Sequence, residues 1–201
     1  MLSEILKAKA ISKELLNPED DIDAEKAFAL IRDMPYTRAS SRDPEIIIEE
    51  WRGTCSGKHY LLGSLFAELG LDSRLIACIT ETIIDPAQAL PALRPILERG
   101  GGRVVDVHNY LLLDLPGGEM VVDATWPAAY KGFGLTVNEE FVLGVDQNIA
   151  SQPLKIWEVP PGRDPQDFKN EILGSHFTPE ELAVREEFIL TLGELFSKSP
   201  K

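Results

Sequence analysis

Apolar residues recur at helical spacing over residues 3 to 16 and again over 21 to 33, so the chain is expected to open with two amphipathic helices. Between them lies the turn-forming Asn17-Pro18-Glu19-Asp20-Asp21, and Asp21 or Asp23 suits the cap of the second helix. Pro35 to Pro44 is polar and turn-rich, which reads as a surface loop. A third helical pattern follows Ile46 to Trp51: Gly53 and Thr54 precede it, Thr54 suits the N-cap, and Leu62, Leu65, Phe66 and Leu69 mark its buried stripe until Gly70 ends it. Steps of about 3.6 residues from Cys55 land near His59, Leu62, Phe66 and Leu69. Cys55 therefore heads the stripe and is expected to point inward, toward a sheet.

The periodicity then changes. Ser73 to Ile83 carries the run Leu75-Ile76-Ala77-Cys78-Ile79-Thr80 and reads as a strand, with Cys78 in the core. Residues 86 to 103 form a Pro- and Gly-rich excursion with room for a short helix. Gly100-Gly101-Gly102 reads there as a flexible connection, a surface loop by preference and a lid as the alternative. Val104 to Asp114 and Glu119 to Trp126 are two further strands, joined through the hairpin signal Leu115-Pro116-Gly117-Gly118. Phe141 to Val145 and Leu154 to Val159 suggest two more. Thr178-Pro179-Glu180-Glu181 opens a C-terminal helix with an N-cap, a proline at the first helical position and acidic residues in the first turn. Helices, a buried helix, adjacent strands and a last helix predict an α+β fold rather than an alternating α/β one. A chain of 201 residues, 44% of them hydrophobic, is long enough to bury its own core. We read one domain over 1–201, with a helical part over 1–43, a core over 44–130, and strands and the C-terminal helix over 131–201.

Charge narrows the partners. A formal net charge of -13 disfavours non-specific binding to nucleic-acid phosphates and anionic lipid, so no nucleic acid and no membrane are expected as partners. No segment approaches the roughly 18 to 20 apolar residues of a membrane span, and residues 1 to 17 lack the apolar core of a secretory signal; a cytoplasmic protein is the expectation. In that reducing compartment Cys55 and Cys78 stay thiols. Cys55 and His59 stand four residues apart but no second ligand pair follows, and the glycine run lacks the context of a phosphate loop, so neither a metal nor a cofactor is expected.

The candidate chemistry starts at Cys55. A thiol in the first turn of a helix meets free backbone N–H groups and the positive end of the dipole, which favour the thiolate, and Lys58 and His59 can add to that field. Any two- or four-residue loop centred on Pro116-Gly117 pairs residues whose numbers sum to an odd value. His108 and Asp123 then share a face, with His108 opposite Thr125 and Asp123 its diagonal neighbour at about 7 to 8 Å between backbones. A carboxylate on one ring nitrogen fixes the tautomer and leaves the other to exchange a proton with a thiol. Nucleophile, base and orienting group are then all present. For the oxyanion, the backbone N–H of Cys55 is the natural first donor and Trp51 the candidate second.

The segment Gly53-Thr54-Cys55 with Leu61-Leu62-Gly63-Ser64-Leu65-Phe66-Ala67-Glu68-Leu69-Gly70-Leu71-Asp72-Ser73-Arg74 resembles the nucleophile segment of the transglutaminase-like superfamily, in which a catalytic cysteine starts a helix that ends in a Leu-Gly turn before a strand. His108-Asn109-Tyr110 and Val121-Val122-Asp123-Ala124-Thr125-Trp126-Pro127 resemble that family's His and Asp segments in order and spacing, over about residues 44 to 130. Tyr110 stands where the family often has an aromatic residue; Ala124 stands where it often has proline. The resemblance implies a papain-like core with the nucleophile helix packed on an antiparallel sheet, Cys55 as nucleophile, His108 as base and Asp123 as orienter. The function expected is cysteine-dependent acyl transfer or hydrolysis on a peptide, protein or small acyl or amide substrate. The alternative is a protein-binding module that keeps the fold with an idle triad. Arg52-Gly53-Thr54-Cys55 also partly resembles the arylamine N-acetyltransferases, whose usual pattern and length this chain does not meet.

Overall fold

Side-chain caps set several helix starts in the computed structural model, which describes residues 1–197. Asp23 accepts from Lys26 N at the head of α2 (Ala24–Arg32), and Asp43 accepts from Glu45 N ahead of Pro44 in α3 (Pro44–Glu50). Each satisfies an N–H that a helix start leaves free. The stretch after residue 44, which the sequence reading left unassigned, is thus a short helix. α1 (Leu2–Ser12) precedes these, and α4 (Cys55–Glu68) follows. Gly57 lets α4 pass close to α3, because a Cβ there would stand 2.7 Å from Ile47 Cδ1.

Four antiparallel strands form one sheet in the order β3-β2-β1-β4, and with the helices they make an α+β fold. β1 (Ser73–Ile83) pairs along its length with β2 (Arg103–Leu115), from Ser73↔Leu113 to Ile83↔Arg103, and on its other side with β4 (Pro153–Glu158). β2 turns through Pro116-Gly117 into β3 (Gly118–Val122), with Leu115 opposite Gly118 and Leu111 opposite Val122, the odd-sum register expected of the hairpin. β3 stops four residues sooner than the pattern predicts. The Asp123 carboxylate accepts from Thr125 N and bends the chain out of the strand, and Pro127 follows. From Arg103 to Tyr110, β2 therefore has no strand partner on that side.

α1 to α4 bury their apolar faces with Leu111, Leu113, Met120 and Val122 in the largest core. α6 (Pro165–His176) covers Ala77, Ile79 and Val107 through Ile172 and Leu173. α7 (Pro179–Ser197) packs Val184 against Val104 and against Leu93, Ile96 and Leu97 around α5 (Arg94–Arg99). The 86–103 excursion is thus docked, and Gly102 is tied down by bonds from its N to Leu97 O and from Ile84 N to its own carbonyl.

Two further expectations change. Residues 141 to 145 are no strand: Phe141 is buried in the main core, but Gly144 takes φ 87° and Val145 N closes a turn on Val142 O. The polar 35–44 segment is not simply a surface loop, since Tyr36 and Ala39 are buried and Tyr36 packs on Trp126 at 4.3 Å between ring centroids. No helix among the described residues is long and apolar enough to cross a membrane.

Candidate active site

The first turn of α4 lies against the part of β2 that β3 leaves unpaired. Thr54 has the extended backbone of an N-cap but makes no side-chain cap, so the leading N–H groups of α4 are not spent on it. Ser56 Oγ donates to Asn109 Oδ1 at 2.9 Å, and Asn109 Nδ2 donates to Ile76 O, which pins the helix head to β2. Leu111 and Leu113 face α4, whereas His108, three residues from Leu111, shares the other face with Tyr110, Cys78 and Ile76. The Cys55 thiol nonetheless hydrogen-bonds the His108 side chain. Cys55 is 2% exposed.

His108 Nε2 donates to Asp123 Oδ2 at 2.7 Å, which leaves Nδ1 as the ring nitrogen available to the thiol. Asp123 is held in turn: Oδ1 accepts from Thr125 N at 3.0 Å and Oδ2 from Ala150 N at 2.8 Å. The Tyr110 ring stacks beside the imidazole at 6.4 Å. Burial alone opposes a charge on Asp123, yet the His108 imidazolium and these donors keep its carboxyl well below the ordinary range. Burial likewise opposes charge on His108, and the Asp123 carboxylate with the adjoining thiol pushes it up to about 10.

Burial pushes the Cys55 thiol up, but the Lys169 ammonium and then the hydrogen bonding and charge of His108 bring it down to about 6. Lys169 Nζ, on α6, lies 3.9 Å from Cys55 Sγ, donates to Ser56 Oγ at 3.0 Å and stands 3.8 Å from Asp106 Oδ1, which also accepts from Arg185 Nε. Lys169, Asp106 and Arg185 were not predicted. Nothing local in the sequence marks them, because α6 and α7 reach Cys55 only in the folded chain.

Neither Lys58 nor His59 leads the field at the thiol, where Lys169 and His108 act most strongly. Lys58 is fully buried, donates to Arg32 O and Thr125 O, and is brought down to about 7 by that burial. Burial also pushes His59 down, to about 4, so it is neutral. Its Nε2 accepts from Ala124 N at 2.9 Å, so Nδ1 carries the proton and donates to Cys55 O at 2.7 Å. His59 thus ties the nucleophile's backbone to the Asp123 segment and has no ring nitrogen left for a metal. Trp51 caps α3 with a left-handed backbone, packs in the main core with Lys13 above its ring, and lines neither cavity at the thiol.

Two cavities meet at this pair. One of about 570 Å³ reaches His108 and is walled by apolar groups including Leu93, Val104, Trp126, Phe188, Leu192 and Phe196. The other, about 300 Å³, opens on Cys55 and is lined mainly by polar and charged side chains. Tyr36, Asp106 and Ile189 wall both. No family model, curated protein or solved structure matches the chain. The site brings together a thiolate at a helix head, a charged imidazole against it, and a carboxylate orienting the ring.

Proposed function

We propose that the chain is a transglutaminase-like cysteine enzyme that hydrolyses or transfers an acyl group at an amide or related bond through a thioester on Cys55. The observation that carries this reading is the 2.7 Å His108–Asp123 bond beside a helix-head thiol brought down to about 6. The same elements, cysteine helix, His strand and adjoining Asp segment in that order, support a papain-like core. The thiolate attacks the carbonyl carbon, a C–S bond forms, and the carbonyl electron pair moves onto oxygen, which the Cys55 N–H stabilises as a hydrogen-bond donor. His108 Nδ1–H protonates the departing amine as the C–N bond breaks. Water or an amine, deprotonated by the now neutral imidazole, resolves the thioester and restores the thiolate. Asp123 stabilises the imidazolium at both stages.

The test is covalent trapping. Incubated with a panel of amide and thioester acyl donors, the wild-type protein is expected to show by mass spectrometry an acyl adduct on Cys55 that decays on standing, and Cys55→Ser is expected to show none. Turnover should fall by roughly 10⁴-fold or more in that variant. If no donor acylates Cys55 although small alkylating agents reach it, the site is an idle triad in a binding module.

A further inference from the structure

The smaller cavity collects positive charge in an acidic protein. Arg38, Arg42, Lys169 and Arg185 line it together with only two carboxylates, Asp106 and Glu186, although the chain carries a formal net charge of -13. Three of the cations have partners. Arg185 Nε bonds Asp106 at 2.6 Å, Lys169 stands 3.8 Å from the same carboxylate, and the Arg38 guanidinium forks onto Glu186. Arg42 makes no ion pair among the described residues, and its Nε is buried without a hydrogen-bond partner, as is the Nε of Arg38. Burial and the like charge of Arg38 both act against the Arg42 cation. An unneutralised, partly desolvated guanidinium is costly unless an anion completes it, and its planar fork matches carboxylate and phosphate oxygens.

Resting on the acyl-transfer reading of Cys55, we propose that its substrate carries an oxyanion that docks on Arg42 and Arg38 in the 300 Å³ cavity, with an apolar portion in the adjoining 570 Å³ cavity. The reacting carbonyl then sits between them, at the thiol. The cavity has room for a group of about amino-acid size. Lys169 and Arg185 face Asp106 and the Cys55 thiolate, and Arg38 faces Glu186, so the surplus positive charge is on Arg42.

The experiment compares two alkylating agents of one shape and different charge. At neutral pH iodoacetate is anionic and iodoacetamide neutral, and each places a carbon on Cys55 with loss of iodide. The rate ratio of iodoacetate to iodoacetamide removes the contribution of thiol activation common to both. It is expected to exceed the ratio for a free thiol in solution, to fall about fivefold or more in Arg42→Gln, to be largely kept in Arg42→Lys, and to fall with added salt. Hexanoate and hexyl phosphate should each slow iodoacetamide labelling, whereas hexanol should not, and the better protector identifies the oxyanion as carboxylate or phosphate. A ratio equal to the free thiol's and unmoved by Arg42→Gln overturns the oxyanion site while leaving an activated Cys55 in place. Slow labelling by both reagents in the wild type removes the activated nucleophile, and the substrate proposal goes with it.

Discussion

The chain holds two buried thiols, Cys55 at the head of α4 and Cys78 inside β1, and the same imidazole flanks both. Cys78 stands directly opposite His108 in the β1–β2 ladder. Cys55 is nonetheless brought down to about 6, while burial and then the negative charge of Cys55 push Cys78 up to about 12. Burial raises both, so it does not make the difference. Cys55 has free helix-head N–H groups and an ammonium at 3.9 Å; Cys78 is packed among Ile76, Tyr110, Leu112 and Val121. The difference follows from what stabilises the anion and not from nearness to histidine alone.

The comparison breaks most sharply if His108 is removed. In His108→Ala the thiolate loses a hydrogen-bond donor and a positive charge, and iodoacetamide labelling of Cys55 at pH 6.5 is expected to fall about tenfold or more. Cys78 should stay unlabelled in both proteins, as peptide mapping would show. Equal Cys55 rates in variant and wild type would mean that His108 has no part in the asymmetry. The variant also isolates a pH effect on stability. His108 is raised in the folded state, so its pairing with Asp123 stabilises fully below about pH 6.5, the ordinary histidine value, and is lost as pH rises through about 10. Between those limits the thermal midpoint of the wild type should drop more than that of His108→Ala.

A smaller effect is expected from Lys169→Met, which keeps a long apolar stem in the buried space but removes the ammonium. Asp106 retains Arg185 as a partner. The midpoint of the pH profile for Cys55 labelling should move up by about one pH unit from its position near 6. A profile that stays in place would assign the activation to His108 and the helix head alone.

That lysine marks the limit of what the chain discloses in one dimension. Cys55 at a helix start and the His108–Asp123 pairing were legible because each depends on local rules, helix periodicity and hairpin register. The hairpin parity holds from Leu115↔Gly118 to Leu111↔Val122 and stops one residue short of Asp123, whose carboxylate reaches His108 from beyond the strand. What was not legible depends on docking over long separations. Lys169 lies 114 residues from Cys55, and Arg185 lies 79 from Asp106. Residues 141 to 145 misled because β-branched composition does not reveal the turn at Gly144. His59 misled for the reverse reason: its spacing from Cys55 is right for a charged neighbour, but burial holds it neutral.

The smallest expected effect lies on the other side of the comparison. Cys78→Ala removes one sulfur from the cluster of Ile76, Tyr110 and their neighbours and leaves a small cavity, so stability should fall by about 1 kcal/mol, seen as a drop of roughly 2 to 4 °C in the thermal midpoint. Cys78 makes no hydrogen bond to His108 and is not among the groups that set the Cys55 thiol, so the labelling profile of Cys55 should keep its midpoint near 6. The ladder places Cys78 directly beside the imidazole, which makes this a demanding test. Were the midpoint to move by as much as in Lys169→Met, Cys78 would be acting on the ring's position, and the two thiols would belong to one site.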